Sequence, residues 1–323
     1  MLILKFMKCS LFIYLLFFIN MHIYAQDILV SQISNVNQLP VTSIHRIFQD
    51  KEGYMWYGTV NGLCRDDGYK IDIFRSDIYN KSADRNNLIL CIAEDNKNRI
   101  WFGTPNGAYI LDKNNHYNIN QIDIKGLKNR YIHNIEATVD GRIWVSTRTG
   151  TFVFDSNDTI PIELDLDTIS EPVVLSKLFQ DRDGNLWGCF ENRGFYLFNK
   201  INNKFERIET DCGKIVISDM IQDTKGRLWV STINKGIALF IPNIKKKKAQ
   251  IIWQVLPKSA NGISTNIVYH LAQDNKLGYL WATTHNDISV FKINEFENRL
   301  FQISTKDFLP QDNKMCYEIT EDN

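Results

Sequence analysis

The chain has 323 residues, 44% of them hydrophobic and 23% charged, with 37 basic and 37 acidic side chains. A formal charge of zero gives no electrostatic case for nucleic acid or an anionic membrane surface as a partner, and the apolar content suits a globular fold rather than a disordered chain. The six cysteines, Cys9, Cys64, Cys91, Cys189, Cys212 and Cys316, show no CxxC spacing and no readable pairing, so neither a zinc site nor a disulfide framework is supported.

The first element in chain order is an apolar run. Lys5 and Lys8 precede Leu11 to Ile19, and Ala25 stands just before Gln26 and Asp27. A basic start, an apolar stretch and a small terminal residue predict a secretory signal peptide over residues 1–25. The alternative is an uncleaved anchor, because the run is close to the shortest that spans a bilayer. Either way residues 26–323 are expected to be exported.

Six tryptophans then set a beat. Trp56, Trp101, Trp144, Trp187, Trp229 and Trp281 follow one another at intervals of 45, 43, 43, 42 and 52 residues. A period of this length, with turn glycines, predicts an all-β chain folded as a β-propeller, one four-stranded blade per repeat. The first repeat shows the plan. Ile44 to Gln49 is a β-rich run, Asp50-Lys51-Glu52-Gly53 is a tight turn, and Tyr54 to Thr59 is the next strand. Asn61-Gly62 then signals a second hairpin. Both faces of the middle strands are covered by neighbouring blades, which accounts for apolar runs where an exposed sheet would alternate. Trp is large enough to fill the wedge between blades.

The later repeats depart from this plan in specific ways. The second has Asp95 and Trp101, with Asn98 in the place of the turn glycine; Asn is the next best residue at positive φ. The third has Gly141 and Trp144, with Thr138 where the aspartate would stand. Asp181, Gly184 and Trp187 mark the fourth, and Asp223, Gly226 and Trp229 the fifth. In the sixth, Asp274 lies seven rather than six residues before Trp281, and Asn286-Asp287 replaces the second turn glycine. Phe154, Phe198, Phe240 and Phe291 recur in third strands. The basic run Lys245 to Lys248 falls in the longest interval and reads as a solvated loop. Residues 315–323 match Leu90 to Asn96, so a seventh blade begins there, and Asp27 to Val36 is expected to add a strand that closes the ring. The expected organisation is a signal over 1–25 and an incomplete seven-bladed propeller over 26–323, of which six blades are complete.

The pattern from Gln49 and Asp50 through Gly53, Trp56, Gly58 and Thr59 to Gly62 and Leu63 resembles the two-component regulator propeller repeat. The resemblance runs from about residue 26 to 323. It implies the amino-terminal, periplasmic sensor part of a hybrid two-component histidine kinase of Bacteroidetes. Such proteins continue through a second propeller, a β-sandwich, a membrane helix, a kinase core, a receiver and a DNA-binding domain. Members sense oligosaccharides from polysaccharide breakdown, and a homodimer of the full-length form is implied. This chain has no phosphorylated-histidine motif, ATP-binding glycine box or receiver aspartate, so it is not expected to be an enzyme, and no cofactor or metal is expected.

Two other functions fit a propeller. A secreted carbohydrate hydrolase or lyase needs converging carboxylates, but Asp50, Asp95, Asp181, Asp223 and Asp274 sit at hairpin turns and read as turn residues. An interaction scaffold or adhesin is open on fold alone. Of the histidines, His22 lies in the signal, and His116 and His285 lie in turns. His45, His133 and His270 fall in first strands. With Tyr269 these three are the candidate ligand-binding residues lining the channel, against packing or loop roles.

Overall fold

The computed structural model describes residues 35–41, 43–75, 87–123, 127, 130–147, 150–155, 162–164, 175–190, 193–210, 215–255, 263–274, 276–285, 287–293 and 299–304. The signal segment, residues 27–34 of the expected closing strand and the expected start of a seventh blade lie outside them. Val36, the last residue of that expected strand, instead opens a one-turn 3-10 helix, Val36–Gln38.

The described residues build a six-bladed β-propeller. Blade 1 is β1 (Ile44–Gln49), β2 (Met55–Thr59), β3 (Gly62–Asp66) and β4 (Ile71–Phe74), paired in that order and antiparallel throughout. Blade 2 repeats it with β5 (Cys91–Glu94), β6 (Arg99–Thr104), β7 (Gly107–Asp112) and β8 (Asn118–Gln121). Blade 3 holds β9 (Ile132–Ala137), β10 (Ile143–Thr147), β11 (Thr151–Phe154) and β12 (Ile162–Leu164). Blade 4 holds β13 (Leu175–Gln180), β14 (Leu186–Phe190), β15 (Gly194–Asn199) and β16 (Lys204–Arg207).

Blade 5 departs from the four-stranded expectation. After β18 (Ile217–Gln222), β19 (Leu228–Thr232), β20 (Ile237–Asn243) and β21 (Lys248–Val255), a fifth strand closes its outer edge. This is β17 (Glu209–Thr210), which leaves blade 4 and pairs parallel to β21. The lysine run is exposed, as expected, but it is not only a loop. Ile244–Lys246 forms a 3-10 turn, Lys247 takes the left-handed conformation, and Lys248 starts β21. Lys247 Nζ lies 2.7 Å from Glu206 Oε2 of blade 4. Blade 6 is β22 (Val268–Asp274), β23 (Tyr279–Thr284), β24 (Asp287–Lys292) and β25 (Arg299–Ser304).

The first strand of each blade packs against the first strand of the next, from β1 through β5, β9, β13 and β18 to β22. These strands therefore surround the common axis. The cores lie between blades rather than within them. Trp101 meets Phe154 of blade 3 edge-on at 5.0 Å, and Trp144 meets Phe198 of blade 4 at 5.1 Å. Trp187 shares a cluster with Phe240 of blade 5, and Trp229 one with Phe291 of blade 6. Five of the six repeat tryptophans are fully buried. At roughly 25 cal/mol per Å2 of apolar surface removed from water, such rings are the largest single contributors to blade stacking.

Candidate functional site: a charged belt at the axis

The repeat motif is a capped hairpin. Asp50 Oδ1 accepts the backbone N–H groups of Glu52 and Tyr54, while Oδ2 accepts the indole N–H of Trp56 at 2.8 Å. One carboxylate thus ties the turn to the ring that fills the wedge. Asp95 with Trp101, Asp181 with Trp187 and Asp223 with Trp229 repeat the bond at 2.7, 2.8 and 3.1 Å. In blade 6, Asp274 caps the turn through the N–H groups of Lys276 and Leu277. Asn98 takes the place of glycine with φ at 64°. Blade 3 lacks the carboxylate. Thr138 instead donates its hydroxyl to Asp140, and the indole N–H of Trp144 has no acceptor among the described residues. The aspartates are accordingly turn residues, and in blades 1, 2, 4 and 5 both carboxylate oxygens are occupied.

Chemistry gathers elsewhere, on the first strands. Ten residues before each tryptophan (eleven in blade 6) stand Arg46, Cys91, Asn134, Lys177, Asp219 and His270. These positions pair in equivalent register with Gly58, Gly103, Ser146, Cys189, Ser231 and Thr283. In every blade but the second, a bulge stands beside this position. Lys177 Nζ lies 2.9 Å from Asp219 Oδ1, and His270 Nε2 lies 3.3 Å from Asp219 Oδ2. The backbone N–H of Leu271 also donates to Asp219 at 2.9 Å. Asp219 is 2% exposed, whereas Lys177 and His270 are each 23% exposed, so the lysine and the imidazole border the axial space and the carboxylate lies beneath them.

Burial alone would raise the Asp219 pKa. His270, Lys177 and the Leu271 N–H prevail and hold it below the usual carboxylate range. Burial likewise opposes the charge on Lys177, but Asp219 and Glu136 keep the ammonium charged above its ordinary range. Glu136, two residues along β9 from Asn134, behaves differently. Burial pushes its carboxyl up to about 7, with Lys177 opposing and Asp219 adding to the shift. It makes no hydrogen bond and no ion pair among the described residues, and the Asn134 amide makes none either. Among the described residues, the Arg46 guanidinium makes a single hydrogen bond, to the His45 carbonyl. The belt is therefore two-sided: an ion-paired chain in blades 4 to 6, and partly exposed polar groups with few hydrogen bonds among the described residues in blades 1 to 3.

Of the four sequence-predicted ligand residues, His270 joins the belt. His45, His133 and Tyr269 each stand one residue earlier, in the bulges. Burial, followed by the neighbouring Arg46 charge, lowers the His45 pKa. The His133 ring packs on Tyr131 at 4.8 Å, and the Tyr269 hydroxyl bonds His285 Nδ1 at 2.9 Å. Arg46, Asn134, Glu136, Lys177 and Asp219 were not anticipated. The signal that could have found all but Glu136 is the column of mostly polar residues ten positions (eleven in blade 6) before each tryptophan. Among the described residues, no group of three or more His, Cys, Asp or Glu side chains is placed to hold a metal ion.

Residues 38–61 and 84–106 match the family model for the two component regulator propeller. The matched stretches, 24 and 23 residues long, are similar to that repeat. Each matched stretch contains the first two strands of a blade with its Asp–Trp cap, so the family pattern and the capped hairpin are the same object. No curated protein matches the chain.

Among solved structures, these repeats align with an extracellular domain from B. thetaiotaomicron described as part of a hybrid two component system. The TM-score is 0.53 at 19% identity, over 76% of this chain and 38% of that one. PorZ of Porphyromonas gingivalis, a surface component of the type-IX secretion system, aligns with TM-score 0.59 at 18% identity, over 76% of this chain and 39% of PorZ. Virginiamycin B lyase from Staphylococcus aureus aligns with TM-score 0.60 at 14% identity, over 78% and 82% of the two chains. At these identities the likeness is one of fold. The repeats span less than half the length of the first two structures.

Proposed function

We propose that the chain is the extracytoplasmic input module of a hybrid two-component sensor histidine kinase. On this reading residues 1–25 export it, it works in the periplasm, and it passes a ligand signal to kinase domains further along the full-length protein, which acts as a homodimer. The ligand is an oligosaccharide released from a polysaccharide, and the module itself catalyses nothing and carries no cofactor. The observation that carries the reading is the family repeat at residues 38–61 and 84–106. The fold likeness to an extracellular domain of a hybrid two component system supports it. A rigid ring with a polar axial belt also suits binding better than turnover, because its strongest charges already neutralise one another.

The test is calorimetric titration of the exported protein against a panel of oligosaccharides, paired with kinase autophosphorylation in the full-length form. Saturable binding of one glycan that also changes phosphorylation is expected. Tight binding only to a non-carbohydrate ligand would remove the sugar assignment, and no effect of any bound ligand on phosphorylation would remove the sensor.

One observation favours a second reading. The His270–Asp219 pair beside Glu136 is an acid–base set of the kind a secreted carbohydrate lyase or hydrolase uses. Polysaccharide cleavage by the wild-type chain that disappears in Asp219→Asn would establish it in place of the sensor.

A further inference from the structure

We propose that the hairpin-turn face of blades 4 and 5 docks on the surface of an anionic lipid bilayer. This goes beyond the sensor reading and does not rest on it.

In an antiparallel four-stranded blade, the turn between the first two strands and the turn between the last two leave by the same end. In blades 4 and 5 all four such turns are described: 181–185, 200–203, 223–227 and 244–247. Their exposed charged side chains are Arg182, Lys200, Lys225, Lys245, Lys246 and Lys247, against the single acid Asp183. A formal charge of zero for the whole chain therefore hides a local excess.

Contacts across the blade boundary make these turns one surface. The backbone N–H of Arg182 donates to Gln222 Oε1 of blade 5 at 2.9 Å. In the other direction Lys247 Nζ lies 2.7 Å from Glu206 Oε2 of blade 4, and Glu206 Oε1 accepts the Asn199 amide at 2.9 Å, beside the 200–203 turn. Blade 3 adds its first turn, because the Val139 N–H donates to Gln180 Oε1 at 2.7 Å. Lys245 and Lys246 make no ion pair among the described residues.

Lysines alone suit any polyanion, and the apolar tips decide among them. Ile201 is 96% and Val139 91% exposed, more than any other large hydrophobic side chain among the described residues. In blade 5 the turn projects. β20 runs four residues past Leu239, the partner of Trp229, whereas β15 runs two past Leu197, the partner of Trp187. Ile241 and Ile244 on this projection are exposed as well. Lys200 beside Ile201 and Lys245 beside Ile244 set an ammonium group next to an aliphatic tip at each site. A bilayer uses both, since the tips enter the headgroup layer while the ammonium groups stay with the phosphates. A protein partner is a poorer match, because protein interfaces favour aromatic residues and arginine and are depleted in lysine. A soluble polyanion would leave the aliphatic tips in water.

The test is flotation of the 323-residue chain with vesicles of phosphatidylcholine, and with vesicles that also contain phosphatidylglycerol, at low and high salt. Phosphatidylglycerol is expected to raise the affinity by about tenfold or more, and high salt to remove most of that gain. Lys245→Gln combined with Lys246→Gln should lower binding to the anionic vesicles about tenfold. Ile201→Ser should lower it about threefold and leave the salt dependence unchanged. Neither variant alters residues 1–25, so these losses assign the binding to the turn face and not to the apolar amino terminus. No preference for phosphatidylglycerol, or a preference that both variants retain in full, overturns the proposal. Loss in one variant alone also overturns the bilayer assignment: the lysines alone mean a general polyanion site, and Ile201 alone means an apolar contact. Both variants change exposed turn positions and should keep the wild-type thermal transition. If the lysine variant does not fold, Lys200→Gln combined with Lys225→Gln gives the same reading.

Discussion

At the scale of single residues, the Asp–Trp cap gives the sharpest expectations. Asp181 accepts the Asn185 backbone N–H, the Asn185 amide and the Trp187 indole. Asp181→Ala orphans buried donors that cost about 1–3 kcal/mol each, so chemical denaturation should show a loss of about 2–4 kcal/mol. Blade 3 offers the converse test. In blades 2 and 5 the cap aspartate also pairs with an arginine four residues on, Arg99 or Arg227, at 2.6 Å. Arg142 stands at that same place beyond Thr138 and reaches Asp140 for want of a better partner. Thr138→Asp should therefore gain about 1 kcal/mol by satisfying the Trp144 indole. A melting temperature that falls in this variant would show that the missing cap is not a defect. Glu136 links stability to pH. Its folded pKa of about 7 lies above the ordinary carboxyl value of 4.5, so the folded state holds the extra proton. The resulting stability is complete below 4.5 and is lost as pH rises through 7, by an amount on the order of 1–3 kcal/mol. Denaturation from pH 4.5 to 8 should show that decline in the wild type, and Glu136→Gln should remove this contribution.

At the scale of the strand, close packing near the axis leaves no slack. A Cβ at Gly103 would lie 2.5 Å from Cys91 Sγ and 2.8 Å from Ile132 Cβ of the next blade. Gly103→Ala should cost about 1–3 kcal/mol through overpacking, read as a lower denaturation midpoint with an unchanged slope. Strands and turns were legible in the sequence because their causes are local. Asp50, Gly53 and Trp56 lie within seven residues, and the Asn98 substitution declares its own backbone angle. The belt was not legible in this way. Lys177, Asp219 and His270 are 42 and 51 residues apart in succession, and only the ring brings them together. His270 was found because a histidine draws notice, whereas Arg46, Glu136, Lys177 and Asp219 read as ordinary strand charges. The extra strand β17 was missed for a related reason. Two residues pairing in parallel with a strand 39 positions later leave no local pattern.

At the scale of the whole molecule, blades are joined by charge as well as by rings. Lys113, at the end of blade 2's third strand, is 2% exposed and reaches Asp50 Oδ2 of blade 1 at 3.0 Å and Glu94 Oε1 at 2.7 Å. Glu94 in turn accepts the backbone N–H of Lys51. Lys113→Ala leaves two buried carboxylates uncompensated and should cost about 3–5 kcal/mol in equilibrium unfolding. A cost within experimental error would mean that the carboxylates are reached by solvent. The cap has a different consequence at this scale. Its parts come from one short segment, so nothing outside that segment is needed to assemble it. Intervals between tryptophans range from 42 to 52 residues, yet the blades on either side of the longest one keep their turn aspartates. A fastening that travels whole within its own cassette lets connecting loops lengthen, shorten or diverge without loosening the frame that carries them.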